Sequence, residues 1–358
     1  MRNKCVRISS ICIKNYRGID ELEIVFPNGR MAEDLDVNVM GSKNGVGKTS
    51  VLECCALILL VASSGKEVFE SSDFAFDDFV KSGCDRTSIS ATVDVNGEKN
   101  EVLLEFDSHG RATSTGLLPV FNGRKGRISR RIFEGITGML PDPVVGKCFL
   151  FLHSYRKVTE GRPELGMLLD EDTFDHYEPR RMGLRYVDRT ASFSMFKRLI
   201  VRHLMENADL FEVSSLKKNE KDKDALAVLN GLLRTYASVR VGKLRPYRNN
   251  TIDVQVERLA EPGKGFSIDG LSSGQKEVIS TLFLIWSSTY KSPTVVLIDE
   301  PEMHLNMQWH ANFIRKLKEL APDNQYILAT HAEGIMASVP KTNRVMLIAD
   351  NTDESEPV

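Results

Sequence analysis

The chain has 358 residues, 42% of them hydrophobic and 27% charged, and 47 basic against 49 acidic side chains leave a formal net charge of -2. That composition describes a folded globule of one large or two moderate domains and excludes a wholly disordered, collagenous or coiled-coil chain. It also excludes a protein that coats nucleic acid over its whole surface, so any such contact must come from a local patch.

Cys5, Cys12, Cys54, Cys55, Cys84 and Cys148 form no CxxC pair. This argues against a zinc ribbon or a disulfide framework and for a reducing, cytoplasmic setting. No signal peptide is expected at the N-terminus, and the apolar stretch Ala56 to Ala62 is too short to cross a bilayer. No membrane partner is expected.

In chain order, residues 6–26 alternate apolar and polar side chains around Arg17-Gly18 and predict two strands. "LDVNVMGS" predicts a short strand, and "KTSVLECCALILLVASS" a largely buried helix. "TSISATVDVN" and "EVLLEFD" meet at Asn96-Gly97, a hairpin signal. Residues 108–131 carry six basic and no acidic side chains and predict an exposed loop or loose hairpin. "CFLFLHS" at 148–154 predicts a buried strand; 157–190 is polar and includes the acids Asp170, Glu171, Asp172 and Asp175. Two helices are expected within 191–241, joined by the charged run 217–224. Strands follow in "TIDVQVERL" and "FSIDGL", then a helix in "GQKEVISTLFLIWSSTY". "TVVLIDEPE", "QYILAT" and "RVMLIA" predict strands and "HANFIRKLKELA" a helix. Helices alternating with buried strands make the fold class α/β.

Ser42 to Thr49 reads "SKNGVGKT", between a predicted strand and a predicted helix. Gly45 and Gly47 allow a tight turn whose N–H groups face phosphate oxygens. Lys48 supplies a point charge to the β and γ phosphates, and Thr49 a hydroxyl to Mg2+. The nucleotide-contacting set here is Ser42, Asn44, Gly45, Gly47, Lys48, Thr49 and Ser50. The strand before and the helix after distinguish this from an ordinary glycine turn. Val295 to Ile298 lead into Asp299-Glu300, where a buried strand delivers Asp299 to Mg2+ and Glu300 can polarise a water. About 250 residues separate Lys48 from Asp299, so a large segment is inserted between the two halves.

"LSSGQKE", Leu271 to Glu277, resembles the signature motif of ABC-type ATPases, with Ser273 where glycine is usual. The order of motifs matches as well, and His331 in "LATHAEG" resembles the H-loop histidine. "DEPEMHL", Asp299 to Leu305, and "IKNYRGIDELEI" at 13–24 are similar to the soluble SMC/Rad50/RecF-like branch, and within it to the compact AAA15/AAA21 group. The resemblance covers nearly all segments except about 108–240. It implies an ABC-type P-loop fold with a short helical insertion and no long coiled coil. The expected division is 1–156 for the first half of the ATPase domain, 157–245 for a mostly helical insertion, 246–350 for the second half and 351–358 for an acidic tail.

The same resemblance implies ATP and Mg2+ as cofactors, with Thr49 and Asp299 on the metal and Glu300, His331 and Lys48 as catalytic residues. It implies a head-to-tail homodimer, open to higher assembly, in which Ser272, Gly274 and Gln275 contact the γ phosphate held by the other subunit. Many AAA15/AAA21 proteins, such as the ATPases of the Septu and PARIS systems, act in anti-phage defence beside a separately encoded nuclease or toxin. The expected function is therefore an ATP-driven switch on such an effector. A DNA-repair ATPase acting on ends or gaps is the alternative. About 27 residues follow His331, so no Toprim nuclease domain is expected.

Where the family carries a Q-loop glutamine, this chain has only Gln255, too close to the signature. His153, Ser154 or Tyr155 takes that place. Arg17 lies either near nucleotide or at the surface. The basic residues Arg111, Arg124, Lys125, Arg127, Arg130 and Arg131 suit DNA or RNA, an acidic face of a protein partner, or an exposed loop alike. His304 and His310 lack a third ligand nearby and suit packing or dimer contacts better than zinc. The acids at 170–175 suit a solvated loop better than a metal nuclease.

Overall fold

A computed structural model describes residues 6–27, 36–41, 47–64, 76–116, 118, 130–138, 143–154, 156, 158, 161–162, 196–197, 199–201, 224–290, 292–303 and 305–347. Strand β1 (Val6–Tyr16) turns at Arg17, with φ 50°, into antiparallel β2 (Ile19–Val25). Strands β4 (Arg86–Val95) and β5 (Glu98–Asp107) close on Asn96 and Gly97, both at positive φ (56° and 91°), the conformation a two-residue hairpin turn requires. Strand β6 (Ala112–Thr115) pairs back on β5, so the start of the basic segment is a hairpin, with Arg111 paired to Asp107 at 2.7 Å. The antiparallel sheet runs β2-β1-β4-β5-β6. Arg124, Lys125 and Arg127 lie outside the described residues, as do His304 and the acids at 170–175.

The second sheet is built from β3 (Asp36–Gly41), β7 (Val144–Val145), β8 (Phe149–Leu152), β12 (Val295–Asp299), β13 (Gln325–Thr330) and β14 (Arg344–Met346), in the order β14-β3-β13-β12-β8-β7. All neighbours are parallel except β7 and β8. Its central strands β8, β12 and β13 read as apolar runs because both faces are covered. Val295, Leu297, Ile327, Phe149 and Phe151 face one core with helix α1 (Lys48–Ser64) and the antiparallel sheet. Val296, Ile298, Leu328, Leu150 and Leu152 face a second core. That core is completed by α3 (Asp224–Ala237), α4 (Ser273–Thr289) and α5 (Met307–Leu320). Helix α2 (Arg130–Ile136) contributes Phe133 and Ile136 to the first core. A short helix, α6 (Glu333–Ala337), follows β13.

Gln325 joins the two sheets: its side-chain oxygen accepts the Ile8 N–H and its amide donates to the Ile8 carbonyl, both at 2.8 Å. The pairing of β1 with β4 shifts register between Ile8 and Ser10, next to that clamp.

A third, three-stranded sheet orders β11 (Gly265–Ser267), β10 (Ile252–Arg258) and β9 (Val239–Pro246). Strand β9 was not foreseen and falls within the stretch expected to be mostly helical. Of the first of the two helices expected there, only 196–197 and 199–201 are described, and they are helical. The second is α3, which buries Ala225, Leu229, Leu232, Leu233 and Tyr236 along one stripe. Among the described residues no helix exceeds 17 residues, and none is long and apolar enough to cross a membrane.

Candidate nucleotide site

The parallel strands β3, β13, β12 and β8 end along one edge, where ligands of open α/β sheets are bound. Each strand delivers one expected element there. After β3 the chain re-enters the described structure at Gly47, with φ 88°. A Cβ on Gly47 would stand 3.0 Å from Ile19 Cγ1, so the turn presses against the start of β2. Ser42, Asn44 and Gly45 lie outside the described residues. Lys48, Thr49 and Ser50 open α1, and Lys48 is 6% exposed. Burial lowers the Lys48 pKa, and the charges of Glu300, Asp299 and Glu302 oppose that shift.

Thr49 donates its hydroxyl proton to Asp299 Oδ2 at 3.0 Å. The two residues expected to share Mg2+ are thus in contact, as hard oxygen ligands that leave room for waters and phosphate. Among the described residues no group of three or more His, Cys, Asp or Glu side chains could hold a metal ion alone.

Glu300 follows Asp299 with φ 44°, a left-handed conformation uncommon for a residue bearing a Cβ. Its N–H donates to the Ala329 carbonyl at 2.8 Å, and its carboxylate lies 3.7 Å from His331 Nε2. Both side chains are about one-third exposed, at 33% and 36%. Glu302, which the sequence reading passed over, binds the turn after β13. Its carboxylate accepts from the Thr330 hydroxyl (2.7 Å), His331 N–H (2.6 Å) and Ala332 N–H (3.2 Å).

Of the three candidates for the Q-loop position, His153 occupies the edge and is 3% exposed. Its Nδ1 is 4.0 Å from Asp299 Oδ2 and its Nε2 is 4.0 Å from Glu53 Oε1. Ser154 points its hydroxyl back to His153 Nδ1 at 3.3 Å, and Tyr155 lies outside the described residues. Gly138 passes so close that a Cβ there would stand 2.9 Å from His153 Nε2.

Glu53 follows Thr49 by one turn on the same face of α1. It is 1% exposed and accepts from the Tyr16 hydroxyl and from Arg17 Nη1, each at 3.0 Å. Arg17 also donates to the Thr137 carbonyl at 3.3 Å and lies over the Phe79 ring at 4.8 Å. Its guanidinium is thus tied beneath the site through Glu53. Burial and the Glu53 charge hold the Tyr16 phenol well above its ordinary pKa, so it remains a donor.

The signature loop caps α4. Ser272 Oγ accepts the Gln275 N–H at 3.3 Å, and Gln275 Oε1 accepts the Ser272 N–H at 3.0 Å, a reciprocal capping box. The Gln275 amide donates to the Tyr236 carbonyl at 3.2 Å. Its side chain is therefore engaged with α3 and the cap, while Ser272 and Ser273 stay exposed at the helix N-terminus.

The fold and the motif order along this sheet edge are those of the ABC-type ATPase class. The chain belongs to the family described as "AAA domain, putative AbiEii toxin, Type IV TA system", whose model matches residues 141–337. A curated relative, "Retron Vc95 probable ATPase" of Vibrio cholerae serotype O1 biovar El Tor, is 26% identical over 146 residues, 37% of this chain and 28% of that protein. The matched stretch thus spans less than a third of that relative. Among solved structures, an SMC head bound to the C-terminal winged-helix domain of ScpA aligns at TM-score 0.52 and 15% identity, over 92% of this chain and 91% of that one. The SMC head with an extended coiled coil, bound to the C-terminal domain of ScpA derived from Pyrococcus furiosus, aligns at TM-score 0.50 and 13% identity, over 93% and 92%. At these identities the likeness shows the fold.

Proposed function

We propose that this chain binds and hydrolyses ATP and acts as a nucleotide-driven switch subunit. The observation that carries the reading is the Thr49–Asp299 hydrogen bond at 3.0 Å. It joins the ends of two elements about 250 residues apart in the sequence, where a metal–nucleotide complex needs them together. Lys48 holds the β and γ phosphates, and Ser42, Asn44, Gly45, Gly47 and Ser50 complete the loop around them. Thr49 and Asp299 would hold Mg2+, which would supply charge neutralisation for the phosphates. Glu300 orients the attacking water and takes its proton, and His331 stabilises the charge that develops at the γ phosphate.

The capped N-terminus of α4, with Ser272 and Gly274, closes over the phosphate held by a second copy, which yields a head-to-tail dimer with two composite sites. The division of the chain at 1–156, 157–245, 246–350 and 351–358 belongs to the same proposal, as does a cytoplasmic location. The output is control of a separately encoded nuclease or toxin in anti-phage defence. The retron ATPase relative and the toxin–antitoxin wording of the family description support that step. Affinity purification from the native host with ATP and Mg2+ present, followed by identification of co-purified protein and nucleic acid, tests it. A co-purified nuclease or toxin supports the switch. Recovery of DNA ends or gapped DNA without a protein effector would replace it with a repair role.

A further inference from the structure

We propose that Arg156 is a positioning residue that ties helix α4 to the backbone behind Glu300, so that movement of the signature helix reaches the carboxylate facing His331. The linkage is geometric. Only its consequence for turnover rests on the ATPase reading above.

Arg156 is 7% exposed and follows β8 by four positions. Its Nη1 donates to the Asp299 carbonyl at 2.6 Å and to the His153 carbonyl at 3.0 Å. Its Nη2 donates to the Glu300 carbonyl at 3.1 Å. Its Nε is 2.7 Å from Glu277 Oε1, an ion pair in which both side chains are under 8% exposed. One planar guanidinium thus caps the carboxyl ends of two neighbouring strands and holds α4 at the same time. A lysine, with a single ammonium on a flexible stem, cannot reproduce that fork.

The position of these bonds gives them a direction. Glu277 lies little more than a turn beyond the cap at Ser272, so a load on the exposed first turn of α4 moves Glu277 with it. On the other side, the Glu300 carbonyl accepts both Arg156 Nη2 and the Met303 N–H, the latter at 3.1 Å. It belongs to the residue in the left-handed conformation. Holding that peptide from behind fixes where the Glu300 carboxylate points. Burial disfavours the Arg156 charge, and Glu277, Asp299 and Glu302 surround and retain it. Neutralising Glu277 would therefore release the guanidinium from α4 and slacken its bonds to the Asp299 and Glu300 carbonyls as well.

Hydrogen exchange of the nucleotide-free chain reads the linkage without reference to activity. In Glu277→Gln, close to isosteric, peptides covering 299–303 should exchange at least about tenfold faster than in the wild type, with β1 and β4 unchanged. Arg156→Lys should do the same. At saturating ATP, turnover of Glu277→Gln should fall about tenfold while ATP affinity stays within about threefold, the split expected when positioning rather than binding is lost. Unchanged exchange at 299–303 in a folded Glu277→Gln overturns the inference, whatever becomes of Arg156→Lys. So does acceleration spread evenly over the chain, which would make the pair a fold-stabilising contact only. Faster exchange at 299–303 with wild-type turnover would overturn the passage of movement to Glu300. If the wild type hydrolyses no ATP, the ATPase reading fails, and the exchange result still decides the linkage.

Discussion

Glu302 accepts the backbone N–H of His331 at 2.6 Å, so the second glutamate of Asp-Glu-Pro-Glu holds in place the histidine that the first one faces. The same carboxylate takes the Thr330 hydroxyl and shares the Ala332 N–H with Thr330 Oγ1, so one side chain bonds three successive residues of the turn after β13. Glu302→Ala removes the acceptor of the His331 N–H and of the Thr330 hydroxyl, leaves the Ala332 N–H on Thr330 Oγ1 at 3.0 Å, and frees His331 to shift. Turnover should drop by up to about 10²-fold, the scale of a 1 Å misplacement, with ATP affinity much less affected. Steady-state kinetics beside equilibrium binding would show it. Wild-type turnover would mean that the turn holds itself.

Glu300→Gln keeps size and removes the base. ATP binding should persist while turnover falls about 10²-fold or more. Single-turnover measurements with labelled ATP would detect near-normal hydrolysis, which would move the base elsewhere.

Lys48→Ala removes the buried ammonium from beside Glu300, Asp299 and Glu302. Affinity for ATP should fall in calorimetry while circular dichroism stays unchanged. Undiminished affinity would count against the phosphate loop.

Ser272→Arg places a bulky cation on the exposed cap of α4. It should spare ATP binding and abolish hydrolysis. Mixed with Lys48→Ala, it can form a heterodimer in which both lesions fall in one composite site and leave the other intact. Activity above either parent supports action in trans. If exchanged subunits stay inactive, ATP-dependent crosslinking between single cysteines placed at Gly45 and Gly274 decides, and crosslinks confined to one chain reject the head-to-tail arrangement.

Gln325→Leu tests the fold alone. It strips partners from the Ile8 N–H and carbonyl, both in buried backbone, and should cost about 1–3 kcal/mol. Urea unfolding should show a lower midpoint at unchanged slope. An unshifted midpoint would mean that water or neighbouring backbone takes over both groups.

Much of this architecture was legible because burial on two faces writes itself into sequence. β8, β12 and β13 read as apolar runs, and the turn at Asn96-Gly97 announced its hairpin. Motif chemistry singled out Lys48, Thr49, Asp299 and His331, and the fold brings Thr49 to Asp299 and His331 to Glu300. Strand β9 was hidden. Its register against β10 shifts between Val254 and Val256, which breaks the alternation that would have marked "VRVGKLRP" as a strand. Arg156 and Glu302 were hidden for another reason. Both act on backbone groups of other strands, and no local pattern records which carbonyl or N–H a side chain will reach after folding. The sequence narrowed the Q-loop position to His153, Ser154 and Tyr155; of the two that are described, β8 carries His153 to within 4.0 Å of Asp299.

Strand β3, from the first forty-odd residues, lies between β13 and β14. The Ile8–Gln325 clamp spans 317 positions. On the ribosome, β3 must therefore wait, unpaired on both edges, until almost the whole described chain has emerged. Nascent chains halted before β13 should expose the apolar faces of β3 and α1 and depend on chaperones. Contacts this distant in sequence are formed late and slowly. Assembly of the candidate site is thus one of the last events in the making of the chain, because Thr49 meets Asp299 only once β12 has joined the sheet.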